Sequence, residues 1–401
     1  MSEWKKVKLG EICERVTSGG TPKANVSSYY NPPTIPWLKT KEVNYCRITE
    51  TENYISEEGL KNSSAKLISP NSVIIAMYGQ GDTAGRIAIN KIPLATNQAC
   101  CNLTIDKSKA DYEFIYYQLC TLYDKLVSLK AGAAQPNLNA RIIKNLEIIM
   151  PSLPIQHRIA SILSRYDSLI ENYQKQIKLL EEAAQRLYKK WFIDLHFPRH
   201  ENTNIIDGVP EGWEKKKVNS IIELQSGFAF KSSTFDDNGT YKIVTIKNVK
   251  DGAFDGDNVS KIVAIPDKMP KHCILADGDI LLSLTGNVGR VCIVNGKSYL
   301  LNQRVAKLAT DYKAFTYCLF RSRDMFIEVN NLANGAAQQN VSPIRIGEMK
   351  ILLPNSELLQ EFESIVFKSI ARIISLQSQL HLLTEARDRL LPKLMSGEIT
   401  I

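Results

Sequence analysis

The chain has 401 residues, of which 44% are hydrophobic and 23% are charged, with a formal net charge of +8. This length predicts two or more domains, and the composition excludes disordered and fibrous proteins. No segment approaches the roughly twenty apolar residues of a membrane span, and the first residues lack the apolar core of a signal peptide. We therefore expect a cytoplasmic protein with no membrane partner.

The residue types that carry most enzyme chemistry do not form recognisable motifs. The eight cysteines include no Cys-x-x-Cys pair, and the five histidines have no metal-ligand spacing. Nucleophile motifs such as Gly-x-Ser-x-Gly are missing. The sequence thus predicts no catalytic site, metal or cofactor in this chain, while its moderate positive charge is compatible with a polyanionic partner.

The first predicted element is a mixed module that covers residues 1–150. Short β-like runs at 72–77 and 86–89 alternate with a helical stretch at 111–129. Residues 79–85 contain three glycines but lack the Gly-Lys-Ser/Thr ending of a phosphate-binding loop, so we predict a tight turn between two strands. The module is predicted to be α/β.

A long helix is predicted over residues 151–195. Apolar residues recur there at every seventh position, which is the period of a helix that faces a partner helix. This line consists of Ile159, Tyr166, Tyr173, Leu180 and Leu187. From Ile155 to Trp191 such a helix would be roughly 55 Å long, which no compact domain encloses.

The second half of the chain repeats the first. After a linker at residues 196–212, a second module (residues 213–354), a second long helix (355–395) and a tail (396–401) are predicted. The second helix has a seam of Phe362, Leu376, Leu383 and Leu390. Three short motifs recur about 200 residues later in the chain. They are Ser18-Gly19 and Ser226-Gly227, Asn97-Gln98 and Asn302-Gln303, and Gly132 to Gln135 and Gly335 to Gln338.

We therefore predict an α/β fold with two similar modules, each followed by a long helix. The two helices are expected to pack as an antiparallel coiled coil with pseudo-two-fold symmetry, because neither seam can be buried within its own helix.

Polar and basic loop residues occupy comparable places in both modules. Arginine can pair with guanine, and asparagine or glutamine with adenine, while lysine contacts phosphate. The candidates for DNA contact in the first module are Gly19, Thr21, Lys23, Lys39, Lys41, Tyr78, Gln80, Arg86, Asn97 and Gln98. Those in the second module are Lys231, Lys247, Asn248, Thr285, Asn287, Arg290, Asn302 and Gln303.

The order and duplication of these features resemble the specificity subunits of Type I DNA restriction-modification systems. The resemblance also rests on the similar ends of the two helices, residues 180–187 and 383–390. It implies two target recognition domains, each reading one half of a bipartite double-stranded DNA target whose gap is set by the helices. The chain would itself be non-catalytic. Its implied partners are two modification (methyltransferase) subunits and the restriction (translocase and endonuclease) subunits, which would hold S-adenosylmethionine, ATP and Mg.

One alternative from another class fits the same pattern. A two-headed coiled-coil scaffold protein without DNA binding would also have two modules and two long helices. An enzyme with an unrecognised site is disfavoured, because neither half shows a convergent set of acid, base or metal ligands. The sequence does not state which bases a DNA-binding protein of this kind would read.

Overall fold

The structure is a computed structural model that describes residues 4–130, 137–333 and 339–401. The chain divides into two compact units, Met1–Leu169 with Thr384–Ile401, and Ile170–Leu383. The repeated motifs Gly132 to Gln135 and Gly335 to Gln338 lie outside the described residues.

The first unit contains eleven of the strands in the described part of the chain. They are β1 (Lys5–Lys8), β2 (Cys13–Ser18), β3 (Ile35–Leu38), β4 (Cys46–Ile48), β5 (Tyr54–Ile55), β6 (Leu67–Ile68), β7 (Val73–Ala76), β8 (Ile87–Asn90), β9 (Leu94–Thr96), β10 (Cys100–Ile105) and β11 (Glu147–Met150). Its short helices are α1 (Glu57–Lys61), α2 (Tyr112–Cys120), α3 (Tyr123–Ser128) and α4 (Ala140–Lys144). The long helix α5 (Leu153–Tyr188) begins in this unit.

A five-stranded sheet of order β2-β10-β7-β8-β4 forms the centre of the first unit, beside a four-stranded sheet of order β5-β3-β9-β6. Strand β7 is buried along its whole length, and its side chains alternate between two cores. Ile75 packs into the core that contains Phe114 of α2, while Ile74 packs into the core that contains Leu38. Because both faces of the strand are covered, the run of apolar residues is continuous.

The second unit has the same plan. Its strands are β12 (Ile205–Ile206), β13 (Val209–Pro210), β14 (Glu214–Lys217), β15 (Glu223–Ser226), β16 (Tyr241–Val244), β17 (Ser260–Ile262), β18 (Ile274–Leu275), β19 (Ile280–Ser283), β20 (Val291–Ile293), β21 (Tyr299–Leu301), β22 (Val305–Ala309) and β23 (Lys350–Leu353). Its helices are α6 (Lys313–Arg321), α7 (Arg323–Leu332), α8 (Pro343–Gly347) and most of α9 (Ser356–Ser396).

Strand order confirms the internal repeat. Sheet β15-β22-β19-β20 of the second unit matches β2-β10-β7-β8 of the first, and β17-β16-β21-β18 matches β5-β3-β9-β6. The parallel pair β3 and β9 corresponds to the parallel pair β16 and β21. The prediction of two similar α/β modules is therefore correct, and the predicted turn at residues 79–85 does join two antiparallel strands.

The two long helices are close to their predicted bounds. Helix α5 has 36 residues and α9 has 41. Asn355 caps α9 by accepting a hydrogen bond of 2.9 Å from the backbone N–H of Leu358. Pro392 lies inside α9, and Gly397, with φ of 75°, follows its end. Helix α5 ends at Tyr188 and is extended by one π-helical turn, Lys189–Ile193.

Within the first unit, the start of α5 packs against the end of α9. Ile159, Ala160 and Leu163 share a core with Leu394 and Met395. Nearer the middle of both helices, Arg387 Nη1 lies 2.8 Å from Asp167 Oδ1. Residues further along α5 thus contact residues that lie earlier in α9. The two helices therefore run antiparallel in this unit.

The predicted seam describes the contact face only in part. Phe362 and Leu376 are fully buried and Ile159 is 1% exposed, whereas the other members are half-buried: Tyr166, Tyr173, Leu180, Leu187, Leu383 and Leu390. In α5 the buried line lies one residue further on, through Ala160, Asp167 and Tyr188. The same line also includes exposed Gln174 and half-buried Glu181, so the apolar pattern missed it because three of its five members are polar.

One short helix of each module, α2 in the first unit and α6 in the second, is also tied to a long helix at its N-terminus. In the first unit, Gln156 of α5 accepts a 3.0 Å hydrogen bond from the backbone N–H of Asp111, the N-cap residue of α2. In the second unit, Glu363 of α9 accepts bonds of 3.0 and 2.7 Å from the N–H groups of Ala314 and Phe315 in α6. The Glu363 carboxylate thus satisfies two orphan donors of α6, while those of Glu113 and Phe114 in α2 are satisfied by the side chain of Asp111.

Candidate nucleic-acid interface

The Asn97-Gln98 motif lies in the short link between the parallel strand β9 and strand β10. The backbone N–H of Asn97 donates to Leu38 O over 2.9 Å, and that of Cys100 donates to Asn97 O over 3.1 Å. Met77 donates to Ala99 O over 2.8 Å. These three bonds fix the link against β3 and the end of β7, so its side chains stand at one edge of the module.

The Asn302-Gln303 motif has the same backbone hydrogen bonds in the second unit. Asn302 donates to Val244 O over 3.1 Å, Val305 to Asn302 O over 3.0 Å, and Leu284 to Arg304 O over 3.0 Å. Position by position, Asn97 corresponds to Asn302 and Ala99 to Arg304. The two modules thus present different side chains on one conserved arrangement of the backbone.

Close backbone approach explains the repeated Ser-Gly motif. A Cβ atom on Gly19 would lie 2.1 Å from Thr96 O, and one on Gly227 would lie 2.2 Å from Asn302 O. The backbone N–H of Gly19 donates over 3.3 Å to Cys100 O, at the start of β10. That of Gly227 donates over 3.2 Å to Val305 O, at the start of β22. Gly19 is buried, so it shapes the link and offers no side chain to a ligand.

Several candidates of the first module come together at this link. Thr21 donates its hydroxyl to the Gln98 amide oxygen, and the indole of Trp37 donates to Gly20 O over 3.0 Å. The Lys39 ammonium lies 5.0 Å from the Trp37 ring centre and 3.0 Å from Asn53 Oδ1. Lys23 is exposed close by in the chain. Hydroxyl, amide and ammonium groups therefore share one surface.

The other candidates of the first module lie in loops outside the Asn97-Gln98 link. Tyr78 follows β7, and burial raises the pKa of its phenol. Gln80 is exposed in the turn that follows. Arg86 pairs with Asp82, and Lys41 pairs with Glu52. The two cations at these positions are thus neutralised locally.

In the second unit a cleft of about 600 Å³ opens beside the matching link. It is lined by Asp237, Thr245, Ile246, Lys247, Asp257, Asn258, Val259, Ser260, Asn302 and Arg304. The candidates Lys247 and Asn302 are therefore brought together, and Gln303 is exposed beside them. Arg304 was not among the candidates, although its position directly after the repeated Asn-Gln motif marked it for comparison with Ala99.

Asn248 is removed from the set of candidates. It is 1% exposed, and its Oδ1 accepts a 2.8 Å bond from Thr245 N while its Nδ2 donates 2.9 Å bonds to Asp255 O and Asn258 O. In the first module Glu42 holds the matching turn by accepting from Lys39 N over 3.1 Å. Asn248 therefore stabilises its loop and has no polar group left for a ligand.

Of the remaining candidates of the second module, three lie around the turn between β19 and β20, and Lys231 lies elsewhere. Thr285 is 6% exposed and donates over 2.9 Å to Asn340 Oδ1, so it is also committed within the fold. Asn287 is exposed at the tip of the turn, and Arg290 is half-buried at its end. Lys231 is exposed before a short 3-10 turn, Ser232–Thr234, in a separate loop.

The described residues contain no cluster of three or more His, Cys, Asp or Glu side chains placed to hold a metal ion. Among the helices of the same residues, none is long and apolar enough to cross a membrane. What both edges do offer is a mixture of cations, amides and hydroxyls. Such a mixture can contact phosphates and the base edges of a major groove.

Comparison with known proteins agrees with this arrangement. The model of a family described as Type I restriction modification DNA specificity domain matches residues 1–182 and again 210–382. The MjaIX specificity subunit of a Type I restriction enzyme from Methanocaldococcus jannaschii is 29% identical, over 100% of this chain and 94% of that protein. The HindI specificity subunit from Haemophilus influenzae is 20% identical over the whole of both chains.

A solved structure shares the fold. The crystal structure of a Type I restriction-modification system S subunit from M. genitalium superposes with a TM-score of 0.66 at 18% identity, covering 98% of this chain and 96% of that one. The repeated α/β modules and long helices described above are therefore the architecture of that subunit as well.

Proposed function

This chain belongs to the family of Type I restriction-modification DNA specificity proteins, and on that premise we propose that it binds a bipartite double-stranded DNA target. It is the DNA-recognition component of such a system and not a catalytic one. In this proposal the first module reads one half-site and the second module reads the other. The long helices hold the modules apart and so set the number of base pairs between the half-sites.

The observation that carries the proposal is the duplicated link with different side chains. Both modules hold an Asn-Gln pair by the same backbone hydrogen bonds. The side chain that follows the pair is buried Ala99 in one module and exposed Arg304 in the other. One scaffold with two sets of exposed polar groups suits the reading of two different sequences.

We further propose that the chemistry belongs to partner subunits. Two modification subunits would supply S-adenosylmethionine and methylate adenine, and restriction subunits would supply ATP-driven translocation and cleavage with Mg. The chain would direct both by selecting the DNA site.

An exchange of modules tests this division of labour. The chain is produced with its modification subunits in a host that lacks other adenine methylation, and methylated adenines are mapped across the genome. Replacing residues 1–150 with the matching module of a relative should change one half of the methylated motif and leave the other half and the gap unchanged. A change in both halves would mean that the modules do not read DNA independently.

Duplex DNA binding separates this proposal from a scaffold role. The complex should bind its methylated motif with an affinity that falls steeply as salt rises, since bound lysines and arginines release counterions from phosphate. A complex that shows no affinity for duplex DNA at low salt would favour the two-headed scaffold.

A further inference from the structure

We propose that Arg304 is a specificity-determining residue that reads a guanine, within a G·C pair, in the half-site bound by the second module. The inference rests on the proposed function, because it assigns a base to a DNA-reading surface. The candidates for DNA contact predicted from the sequence do not include this residue, although it directly follows a repeated motif. It emerges from the comparison of the two links.

The first step is the equivalence of Arg304 and Ala99. Each follows an Asn-Gln pair, and each accepts a backbone hydrogen bond from the residue after a central strand, over 3.0 Å from Leu284 and 2.8 Å from Met77. Ala99 is 4% exposed, whereas Arg304 is exposed. The backbone of the link does not depend on the side chain at this position, so the arginine is free to serve a ligand.

The second step is the state of the guanidinium group. Within the described part of the chain, Arg304 has neither an ion pair nor a side-chain hydrogen bond, although it lines the cleft of about 600 Å³. By contrast, Lys41 and Arg86 of the first module are paired with Glu52 and Asp82. The planar fork of Arg304 is therefore available for two parallel hydrogen bonds to a ligand.

The third step concerns the kind of ligand. The cleft is also lined by Lys247, Asp237 and Asp257, so its two cations are balanced by two carboxylates, which oppose the entry of a phosphate beside Arg304. A base pair carries no net charge. In the major groove guanine offers the acceptors O6 and N7, to which arginine bonds in a bidentate manner, and its cytosine offers the N4 amino donor, which a carboxylate accepts. A cleft in which a guanidinium and an ammonium are balanced by two carboxylates thus complements a G·C pair better than a phosphate.

The same comparison predicts a contrast between the half-sites. The first module has Ala99 where Arg304 stands, and its Thr21 hydroxyl and Gln98 amide are hydrogen-bonded to each other. That module therefore has no guanidinium at the corresponding point. A guanine contact of this kind is expected from the second module only.

The test uses the complete complex of the chain with its modification subunits. Methylated adenines are mapped genome-wide for the wild type and for Arg304→Ala, Arg304→Lys and the control Arg323→Ala. Arg323 is an exposed arginine at the start of α7 in the same unit and does not line the cleft. The module exchange described above identifies which half-site belongs to the second module.

The wild-type motif should contain a G·C pair in that half-site. Arg304→Ala should relax one G·C position, with a loss of discrimination of about 5- to 150-fold for one bidentate contact, and leave every other position and the gap unchanged. Arg304→Lys retains the charge but lacks the fork, so it should retain affinity and still lose discrimination. Arg323→Ala should leave the motif unchanged, and all variants should keep the wild-type melting temperature.

Two results would overturn the inference. One is a half-site without a G·C pair. The other is an Arg304→Ala complex whose motif is unchanged while its binding weakens uniformly and its salt dependence becomes shallower, because that behaviour identifies a phosphate contact. A wild-type complex that methylates no bipartite motif would instead refute the proposed function itself.

Discussion

Tyr117 of α2 donates a hydrogen bond of 2.6 Å from its hydroxyl to Oδ2 of Asp167 on the long helix α5. The same carboxylate accepts Arg47 Nη1 at 2.9 Å and Arg387 Nη1, from α9, at 2.8 Å. The side chains of Asp167 and Arg47 are only 7% and 6% exposed. A single buried carboxylate therefore joins a strand and a helix of the first module to both long helices.

The second unit contains a related contact. Tyr317 of α6 donates over 2.7 Å to Glu181 of α5, and Arg321 lies 3.8 Å from the same carboxylate. Burial raises the pKa of Glu181, and the Tyr317 hydrogen bond and Arg321 oppose that change. In each unit a tyrosine of the module is thus bonded to an acid of α5, which restricts how the module can rotate on its helix.

Replacing Asp167 with Asn should destabilise the protein substantially. Buried Arg47 would lose its 2.9 Å ion pair with Asp167 while its 3.7 Å contact with Glu113 stays, and breaking one side of a buried pair typically costs roughly 3 kcal/mol or more. Urea denaturation of the purified chain would measure the difference. Asp388→Asn is the matched control, since Asp388 also pairs with Arg387, at 2.7 Å, but is 56% exposed. That change should cost less than about 1 kcal/mol. Equal effects of the two substitutions would contradict a special role of the buried carboxylate.

Glu363→Gln should change the dependence of stability on pH. Burial raises the pKa of Glu363 above 4.5, although the N–H groups of Phe315 and Ala314 oppose the shift. The folded chain then holds the proton more tightly than the unfolded chain. The contribution of this group is fully present below the unfolded pKa and is lost as the pH rises through the folded pKa.

The wild type should therefore lose part of its free energy of unfolding as the pH rises from about 4.5, and Glu363→Gln should lose less, because an amide does not titrate. Denaturation curves across this range measure the slope. Glu328→Gln, at an exposed position on α7, serves as the control and should follow the wild type. Identical slopes for Glu363→Gln and the wild type would show that this carboxyl does not contribute.

Gly227→Ala should disrupt the link of the second module. The added Cβ would lie 2.2 Å from the backbone oxygen of Asn302. The backbone at Gly227 or at Asn302 must therefore move, at a typical cost of about 1 to 3 kcal/mol. Methylation at motifs that depend on the second half-site should fall accordingly. Ser226→Ala, next to it and exposed, should change stability by no more than about 0.5 kcal/mol. A fully stable and active Gly227→Ala protein would show that the close approach is not required.

Lengthening both long helices should lengthen the gap between the half-sites. Four residues inserted near Gln176 and four near Gln379 turn each helix by about 400°, nearly one full turn, and extend it by about 6 Å. This corresponds to one or two base pairs. Mapping of methylated adenines should then show the same half-sites with a longer gap. Single-residue insertions turn each helix by about 100° and should expose the contact face, with loss of folding or of partners. An active four-residue variant with an unchanged gap would mean that other elements set the spacing.

Much of this architecture was predictable because it depends on period and repetition. Apolar residues at helical spacing located both long helices, and the repeated Asn97-Gln98 and Asn302-Gln303 motifs located the two equivalent links. Burial of polar residues was not predictable in the same way. Asn248 has the residue type of a base-reading side chain, yet it is enclosed by its own loop, and only its hydrogen-bond partners reveal this.

The duplication, the α/β modules and the long helices could be predicted because hydrophobic period and the order of motifs are properties of the linear chain. Which polar groups are held by contacts within the fold depends on residues that are distant in the chain. Asp167 is indistinguishable in the sequence from a surface acid, and it becomes the buried centre of the first unit because Arg47, Tyr117 and Arg387 converge on it from distant parts of the chain. Among the described residues, the same folding leaves the Arg304 guanidinium without an ion pair or a side-chain hydrogen bond. The pairing of charges depends on distances across the fold, and no periodicity along the chain encodes those distances.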